Sequence, residues 1–152
     1  MDQNTVLVVD DNKDIRESLQ LLLADEGYDI VTADDGQEAL DLIPVLTNPA
    51  VILLDLQMPR LDGYGVLLDL SQHPEKRDRH AIFLLTADIG QLSPDMVRLL
   101  GSEGVPVLSK PIDIDQLKAQ VHSAFFRLEE QRGKIASVAK TQSAGLTPHI
   151  HG

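Results

Sequence analysis

The chain has 152 residues, of which 43% are hydrophobic, and its formal net charge at pH 7 is −11. This length and composition predict one domain with a core of ordinary size and a short remainder. The negative charge argues against nucleic acid or an anionic membrane surface as a direct partner, because both require clustered lysine and arginine. The sequence has no cysteine, no signal-like amino terminus and no apolar run of membrane-spanning length. We therefore expect a soluble cytoplasmic protein.

Short apolar, β-branched runs predict strands, and apolar residues at helical spacing predict the helices between them. In the first half of the chain, the predicted elements are a strand over 5–11 that stops at Asp10 and Asp11, a helix ending near Gly27, a strand over 28–33, and a helix over 38–43 that Pro44 kinks or ends.

In the second half, the apolar run from Val51 predicts a fully buried strand that delivers Asp55 to the edge of a sheet. The elements predicted after it are a helix with Val66, Leu67 and Leu70, a surface loop over 72–80, a strand over 81–86, a helix from Pro94 that Gly101 and Gly104 stop, a strand over 105–111, and a helix from Ile114 to Leu128.

Five strands alternating with five helices predict an α/β fold, with a doubly wound, five-stranded parallel sheet covered on both faces. We expect this domain to occupy residues 1–128 and a C-terminal extension to occupy 129–152. The extension has two interpretations. Ile135 and Val138 continue the apolar stripe of the last helix, whereas the polar composition is equally compatible with a frayed, solvated tail, and residues 145–152 have a disordered composition.

The functional groups of the chain stand at the ends of the predicted strands. Because the carboxyl ends of parallel strands share one edge of the sheet, the side chains of Asp10, Asp11, Asp55, Thr86 and Lys110 are expected to converge there. Three neighbouring carboxylates repel one another unless a cation lies among them, and oxygen ligands of this kind suit Mg²⁺. The sequence therefore predicts a magnesium site.

A hydroxyl and an ammonium group opposite the metal are the groups that a phosphoryl group requires. Lys110 can neutralise phosphoryl oxygens, Thr86 can donate a hydrogen bond to one, and Asp55 can act as a nucleophile. Each residue alone also has an ordinary structural interpretation: Asp10 or Asp11 as a helix cap, Asp55 as a turn residue, Lys110 as a solvated charge. The joint placement at strand ends favours the site.

These residues resemble the receiver domains of two-component response regulators, which are similar in fold to the chemotaxis regulator of flagellar motors. The resemblance covers residues 6–128. It rests on Asp10-Asp11, on Asp55 in Leu-Asp-Leu-Gln-Met-Pro with Asp62-Gly63 behind it, on the segment 34–40, on Thr86-Ala87, and on Lys110-Pro111. The fold that it implies is the flavodoxin-like (βα)5 receiver fold.

The resemblance implies that Asp55 accepts a phosphoryl group from a phosphohistidine of a histidine kinase or a histidine phosphotransfer protein. It implies that Asp11 and Asp55 bind Mg²⁺ directly, that Asp10 acts through water, and that Gln57 offers its main-chain carbonyl. It also implies a cis peptide bond before Pro111.

One position departs from the family pattern. Many members carry Tyr or Phe three residues before the conserved lysine, and the rotamer of that ring reports phosphorylation, whereas this chain has Val107. We therefore expect the signal to leave the site through Thr86 and the loop that begins at Ala87, and to change the face of the fourth and fifth helices.

The expected function is a phosphorylation switch with autocatalytic phosphotransfer and dephosphorylation, whose output is binding to a downstream protein target. A homodimer through the fourth and fifth helices is one form of that output. The chain is expected to act as a stand-alone regulator, and the alternative is that it is the receiver part of a longer one. A phosphohydrolase with Asp55 as nucleophile is disfavoured, because haloacid-dehalogenase-type enzymes place a second Asp where this chain has Gln57.

Overall fold

A computed structural model describes the backbone of residues 4–146 and the side chains of residues 4–133. The strands in this range are β1 (Thr5–Val9), β2 (Asp29–Ala33), β3 (Ala50–Asp55), β4 (Ala81–Thr86) and β5 (Val107–Ser109). The helices that connect or follow them are α1 (Lys13–Asp25), α2 (Gly36–Leu42), α3 (Gly63–Ser71), α4 (Pro94–Glu103) and α5 (Ile114–Leu146). Three short turns of helix, at Ile43–Val45, Pro74–Arg77 and Ile89–Gln91, interrupt the loops.

The five strands form one parallel sheet in the order β2-β1-β3-β4-β5. This confirms the predicted doubly wound architecture. The chain places β2 on one side of β1 and β3 on the other, so the winding direction reverses between β1 and β3. A reversal of this kind opens a crevice beyond the carboxyl ends of the two strands, where α/β sheets bind ligands.

Alternate residues of the three central strands, β1, β3 and β4, are buried in two separate layers. Along β1, Val6 and Val8 pack with residues of α1 and α5, whereas Leu7 and Val9 pack with residues of α2, α3 and α4. Burial on both faces is the reason that the strands appear in the sequence as continuous apolar runs.

Local hydrogen bonds set the starts of the helices. Asn12, Asp35, Asp62 and Ser93 are the N-cap residues of α1 to α4, and the side chain of each accepts a hydrogen bond from a backbone N–H three residues later. At the end of α4, Gly104 has a φ of 64°, which is the left-handed conformation that glycine adopts without steric cost.

Three sequence predictions were wrong in detail. Residues 72–80 are not an uninterrupted loop, since Pro74 starts the one-turn helix at Pro74–Arg77. Gly101 does not stop α4, because the helix continues to Glu103 and Gly104 ends it. The strand predicted over 105–111 is only three residues long, because β5 pairs with β4 at the end of β4 alone.

The last helix is longer than its predicted core-facing part. The α5 backbone remains helical through Leu146, which favours the helical interpretation of the extension up to that residue. Residues 147–152 lie outside the described part of the chain. Among the described residues, no helix combines the length and the apolar character that crossing a bilayer demands.

At the opposite edge of the sheet from the crevice, His80 holds the starts of β3 and β4 together. Its ring Nδ1 accepts a hydrogen bond from the Ala50 N–H at 3.0 Å, and only 4% of the residue is exposed. Burial, aided by the positive charges of Arg79 and Arg77, lowers the pKa of His80 to about 4. The fold therefore requires the neutral imidazole.

This burial predicts a pH-dependent stability. In the unfolded chain His80 has an ordinary pKa and binds a proton more readily, so the free energy of unfolding falls as the pH drops from neutrality towards the folded pKa. We expect a loss of about 2 kcal/mol from His80 between about pH 7 and about pH 5. Denaturant titrations at the two pH values measure it. The His80→Gln variant lacks the titrating group and should lose about that much less, and an equal loss in both proteins contradicts the assignment.

Candidate functional site

Three carboxylates meet in the crevice between β1 and β3. Asp55 is the last residue of β3 and is 5% exposed, Asp10 follows β1 and is 2% exposed, and Asp11 is exposed to solvent. One carboxylate oxygen from each of the three lies within 4.8 Å of the others. The structure therefore brings together the acidic residues that the sequence placed at strand ends.

Lys110 is the residue directly after β5, and its side chain extends to this cluster. Its Nζ donates hydrogen bonds to Asp10 Oδ2 and Asp55 Oδ1, both at 3.0 Å. The Lys110 backbone N–H donates to the carbonyl of Thr86 at 2.8 Å, which ties the end of β5 to the end of β4. The Lys110–Pro111 peptide bond is cis, the geometry that the resemblance implies.

The charges of the cluster do not balance. Burial raises the pKa of Asp55, and the negative charges of Asp10 and Asp11 raise it further against the opposing effect of Lys110. Burial alone would lower the pKa of Lys110, but its hydrogen bonds to Asp10 and Asp55 outweigh burial and raise it. One ammonium group thus neutralises only part of the charge of three carboxylates, and the ionised cluster favours a further cation.

The ordinary interpretations of the acidic residues do not hold in the structure. Neither Asp10 nor Asp11 caps α1, because Asn12 is the N-cap. The Asp55 carboxylate accepts a hydrogen bond from Lys110, and the side chain that caps α3 after the turn is that of Asp62. Gly63 is required beside Asp62, because a Cβ at this position would lie 2.5 Å from the Asp55 carbonyl oxygen.

Thr86 is fully buried at the end of β4, and its hydroxyl is hydrogen-bonded to Asp88 rather than to Asp55. Its Oγ1 accepts a hydrogen bond from the Asp88 N–H at 3.2 Å and makes a long contact of 3.4 Å with the Asp88 carbonyl. The next residue, Ala87, is exposed. In this conformation the Thr86 hydroxyl therefore forms its hydrogen bonds within the loop that follows β4. Thr86 nevertheless lies at the same edge of the sheet as Lys110.

Gln57 and Val107 occupy different surroundings. Gln57 is exposed, and its Nε2 donates a hydrogen bond of 3.2 Å to Oε1 of Gln91, which links the loop after β3 to the loop after β4. Val107 is half-buried on β5, where it packs against the core layer that contains α2, α3 and α4. Val107 therefore lies outside the carboxylate cluster.

The sequence reasoning did not find two residues that hold the site. The Asn12 N–H donates to Asp10 Oδ1 at 2.9 Å, and Arg16 Nη1 donates to the Asp10 carbonyl at 2.8 Å. Asn12 had a detectable signal, because asparagine before a helical stripe is a preferred N-cap. Arg16 had none, since an arginine on the polar side of a helix is usually solvated.

The residues of the cluster fit Mg²⁺. Mg²⁺ takes oxygen ligands, is commonly held by one or two protein carboxylates, and retains several waters. Asp55 and the exposed Asp11 offer such ligands, and the buried, hydrogen-bonded Asp10 lies beside them. The excess negative charge of the cluster would attract the ion.

The fold and the site together define a class of protein. It is a doubly wound α/β domain with an acidic cluster that could hold a cation, and with a paired lysine, at its switch point.

Residues 6–122 match the family described as the response regulator receiver domain. The chain belongs to this family. Its members act in two-component signalling, and the family is that of a phosphoacceptor switch.

Two relatives and one solved structure illustrate the similarity. The chain is 38% identical to the probable transcriptional regulator ycf27 of Cyanophora paradoxa, over 85% of this chain and 51% of that protein. It is 36% identical to the response regulator MprA of Mycolicibacterium vanbaalenii, over 91% of this chain and 57% of that protein. A CheY-like receiver domain protein of Methanospirillum hungatei aligns with a TM-score of 0.73 and 26% identity, covering 84% of this chain and 98% of that one. The chain thus spans little more than half the length of the two relatives.

The unbalanced charge predicts stabilisation by Mg²⁺. A ligand that binds only the folded state adds about 2.7 kcal/mol to the free energy of unfolding at one hundred times its Kd. We expect Mg²⁺ to raise the Tm and Asp11→Asn to reduce that rise, although the variant removes a like charge and should raise the Tm of the metal-free protein. Thermal unfolding with and without Mg²⁺ measures both effects.

The matched control is Asp25→Asn, which removes the same charge at the far end of α1. It should respond to Mg²⁺ as the parent does. If Asp11→Asn kept the full response, the acidic pair would not bind the metal.

Proposed function

We propose that this chain is a phosphorylation switch that accepts a phosphoryl group on Asp55 from the phosphohistidine of a histidine kinase or a histidine phosphotransfer protein. The observation that carries the proposal is the pair of 3.0 Å contacts through which Lys110 joins Asp55 to Asp10, beside the exposed carboxylate of Asp11. The membership of the receiver family supports it.

The proposed reaction is an attack by a carboxylate oxygen of Asp55 on the phosphorus atom of the donor. The new bond is the O–P bond of an acyl phosphate, the bond that breaks is the P–N bond, and the imidazole of the donor leaves with the electron pair. Lys110 lies against Asp55 Oδ1 and is placed to neutralise the charge of the phosphoryl oxygens. Mg²⁺, held by Asp11, Asp55 and the Gln57 carbonyl with Asp10 acting through water, would supply a second positive charge there.

Hydrolysis of the acyl phosphate would return the switch to its resting state. Attack of water on phosphorus would break the O–P bond, release inorganic phosphate and restore the Asp55 carboxylate, and Lys110 is placed to stabilise the charge of the phosphoryl oxygens. A metal held by the acidic cluster would supply further positive charge. The exposed Asp11 places one side of the carboxylate cluster in contact with solvent.

Labelling by a small phosphodonor tests the nucleophile. With Mg²⁺ and radiolabelled acetyl phosphate, the parent should acquire label on Asp55, and Asp55→Asn should acquire none, because the amide is not a nucleophile at this position. Omission of Mg²⁺ should reduce the rate by at least about tenfold.

Peptide mapping after borohydride reduction locates the label, and Asp25→Asn serves as the charge-matched control that labels normally. Stable label on Asp55→Asn, or labelling that persists undiminished after removal of the metal, contradicts the proposed mechanism.

The structural change caused by phosphorylation of Asp55 would be transmitted through Thr86. The Thr86 hydroxyl is hydrogen-bonded to Asp88 in the loop after β4. These hydrogen bonds would have to break before the hydroxyl could donate to a phosphoryl oxygen. The loop that follows leads directly into α4. Val107 packs against the same layer as α4, but has no ring that could change rotamer.

We propose that the output is binding to a downstream protein target, or to a second copy, through α4 and α5. Val97 on α4 is 55% exposed and Phe126 on α5 is 61% exposed, and both are large apolar side chains. Because the relatives extend well beyond the matched region, the receiver part of a longer regulator remains the alternative setting for the same switch.

Thr86→Ala separates labelling from response. The variant should still accept label on Asp55, but the phosphoryl analogue beryllofluoride should no longer promote its self-association. Sedimentation velocity of the parent and the variant, each with and without beryllofluoride, measures this. A variant that responds as the parent does contradicts the role of Thr86, and a parent without any response contradicts the homodimer.

A further inference from the structure

Arg16 lies on the second turn of α1, and its side chain folds back towards the start of the helix. Its Nη1 donates a hydrogen bond of 2.8 Å to the main-chain carbonyl of Asp10. This carbonyl belongs to the peptide unit that joins Asp10 to Asp11, the two acidic residues at the end of β1. The guanidinium group forms no ion pair with any described residue.

The other polar groups of Asp10 are also held. Its N–H donates to the Ala33 carbonyl at 3.1 Å, its Oδ1 accepts from the Asn12 N–H, and its Oδ2 accepts from Lys110. The Arg16 contact completes this set, so each of the four polar atoms of Asp10 has one partner. Loss of the contact would leave one end of the peptide unit free to rotate.

Asp11 is in the opposite situation. Its side chain is exposed and makes no hydrogen bond with the part of the chain that the structure describes. The direction of its carboxylate therefore depends on its own backbone, and that backbone begins at the peptide unit whose carbonyl Arg16 holds. A charged donor gives a stronger and more directional hydrogen bond than a neutral one.

The position of Arg16 also has an electrostatic cost. A cation near the amino-terminal end of a helix is opposed by the helix dipole, which favours acidic residues there. Asp14 in the first turn of α1 follows that preference, whereas Arg16 does not. Its contact with the Asp10 carbonyl offsets this cost and keeps the guanidinium group at the edge of the acidic cluster.

We infer that Arg16 is a positioning residue of the metal site: through the Asp10 carbonyl it orients the Asp10-Asp11 peptide unit, and so sets the affinity for Mg²⁺. The inference rests on the proposed function, because it concerns the metal that the proposed phosphotransfer requires. Residues that orient metal ligands without touching the metal typically change the affinity by about tenfold or more when they are replaced.

The first test is the affinity for Mg²⁺ itself, measured by calorimetric titration of the unphosphorylated protein. Arg16→Met keeps the length of the side chain and removes its donors, and it should weaken binding by about tenfold. Arg16→Lys keeps the charge but not the forked geometry, and it should bind with an intermediate Kd. Lys13→Gln is the matched control, because it removes one positive charge from an exposed position on the same helix. The control should bind Mg²⁺ with the Kd of the parent.

The second test separates positioning of the metal from chemistry. With acetyl phosphate as donor, Arg16→Met should need about tenfold more Mg²⁺ for half-maximal labelling, while its rate at saturating Mg²⁺ stays within about twofold of the parent. The metal-free Tm of each variant shows whether the fold is intact. If Arg16→Met does not fold, the comparison of Arg16→Lys with Lys13→Gln takes its place.

The outcomes distinguish the inference from the function on which it rests. Parent-like or tighter Mg²⁺ binding by Arg16→Met overturns the positioning role, as does an equal loss in Lys13→Gln, which would show a general effect of charge. A parent that binds no Mg²⁺ overturns the metal-dependent function, and the role of Arg16 falls with it. Weaker binding in Arg16→Met alone supports the inference.

Discussion

The pairing of Lys110 with Asp10 and Asp55 is the interaction on which the rest of the site depends. Three carboxylates that lie together, two of them buried, repel one another unless a cation reduces the repulsion. Lys110 supplies that cation, but only one. The pairing therefore reduces the repulsion within the cluster, and the remaining negative charge favours a further cation.

The sheet topology makes this pairing possible. Asp10 and Lys110 are a hundred positions apart in the chain, yet their side chains form a 3.0 Å hydrogen bond, because β1, β3, β4 and β5 end at one edge. Burial of the apolar strands offsets the electrostatic free-energy cost of bringing these charged groups together. Burial of Leu7, Ile52 and Leu54 on one face, and of Val8 and Leu53 on the other, stabilises a rigid platform from which charged groups project only at the ends.

The two edges of the sheet carry different kinds of contact. The carboxyl edge carries the carboxylates, Lys110 and the loops after β3 and β4, which a hydrogen bond between Gln57 and Gln91 links. The amino edge carries structural contacts: His80 with Ala50, and the ion pair of Arg77 with Glu103, whose Nε and Oε1 atoms are 3.2 Å apart. The two edges therefore separate the candidate site from contacts that hold the sheet together.

Sequence alone predicted the order of the strands along the chain and the polar groups that follow them, because both leave local signals. A buried parallel strand must be apolar along its length, and the groups that follow it must lie at the edge, so Asp55, Thr86 and Lys110 were identifiable without coordinates. Only the tertiary structure decided which atoms meet. The contact of Arg16 with the Asp10 carbonyl, the attachment of Thr86 to its own loop and the passage of α4 through Gly101 depend on the positions of neighbouring segments. The physical reason is that periodicity reports burial within one element, whereas hydrogen-bond partners depend on the geometry between elements.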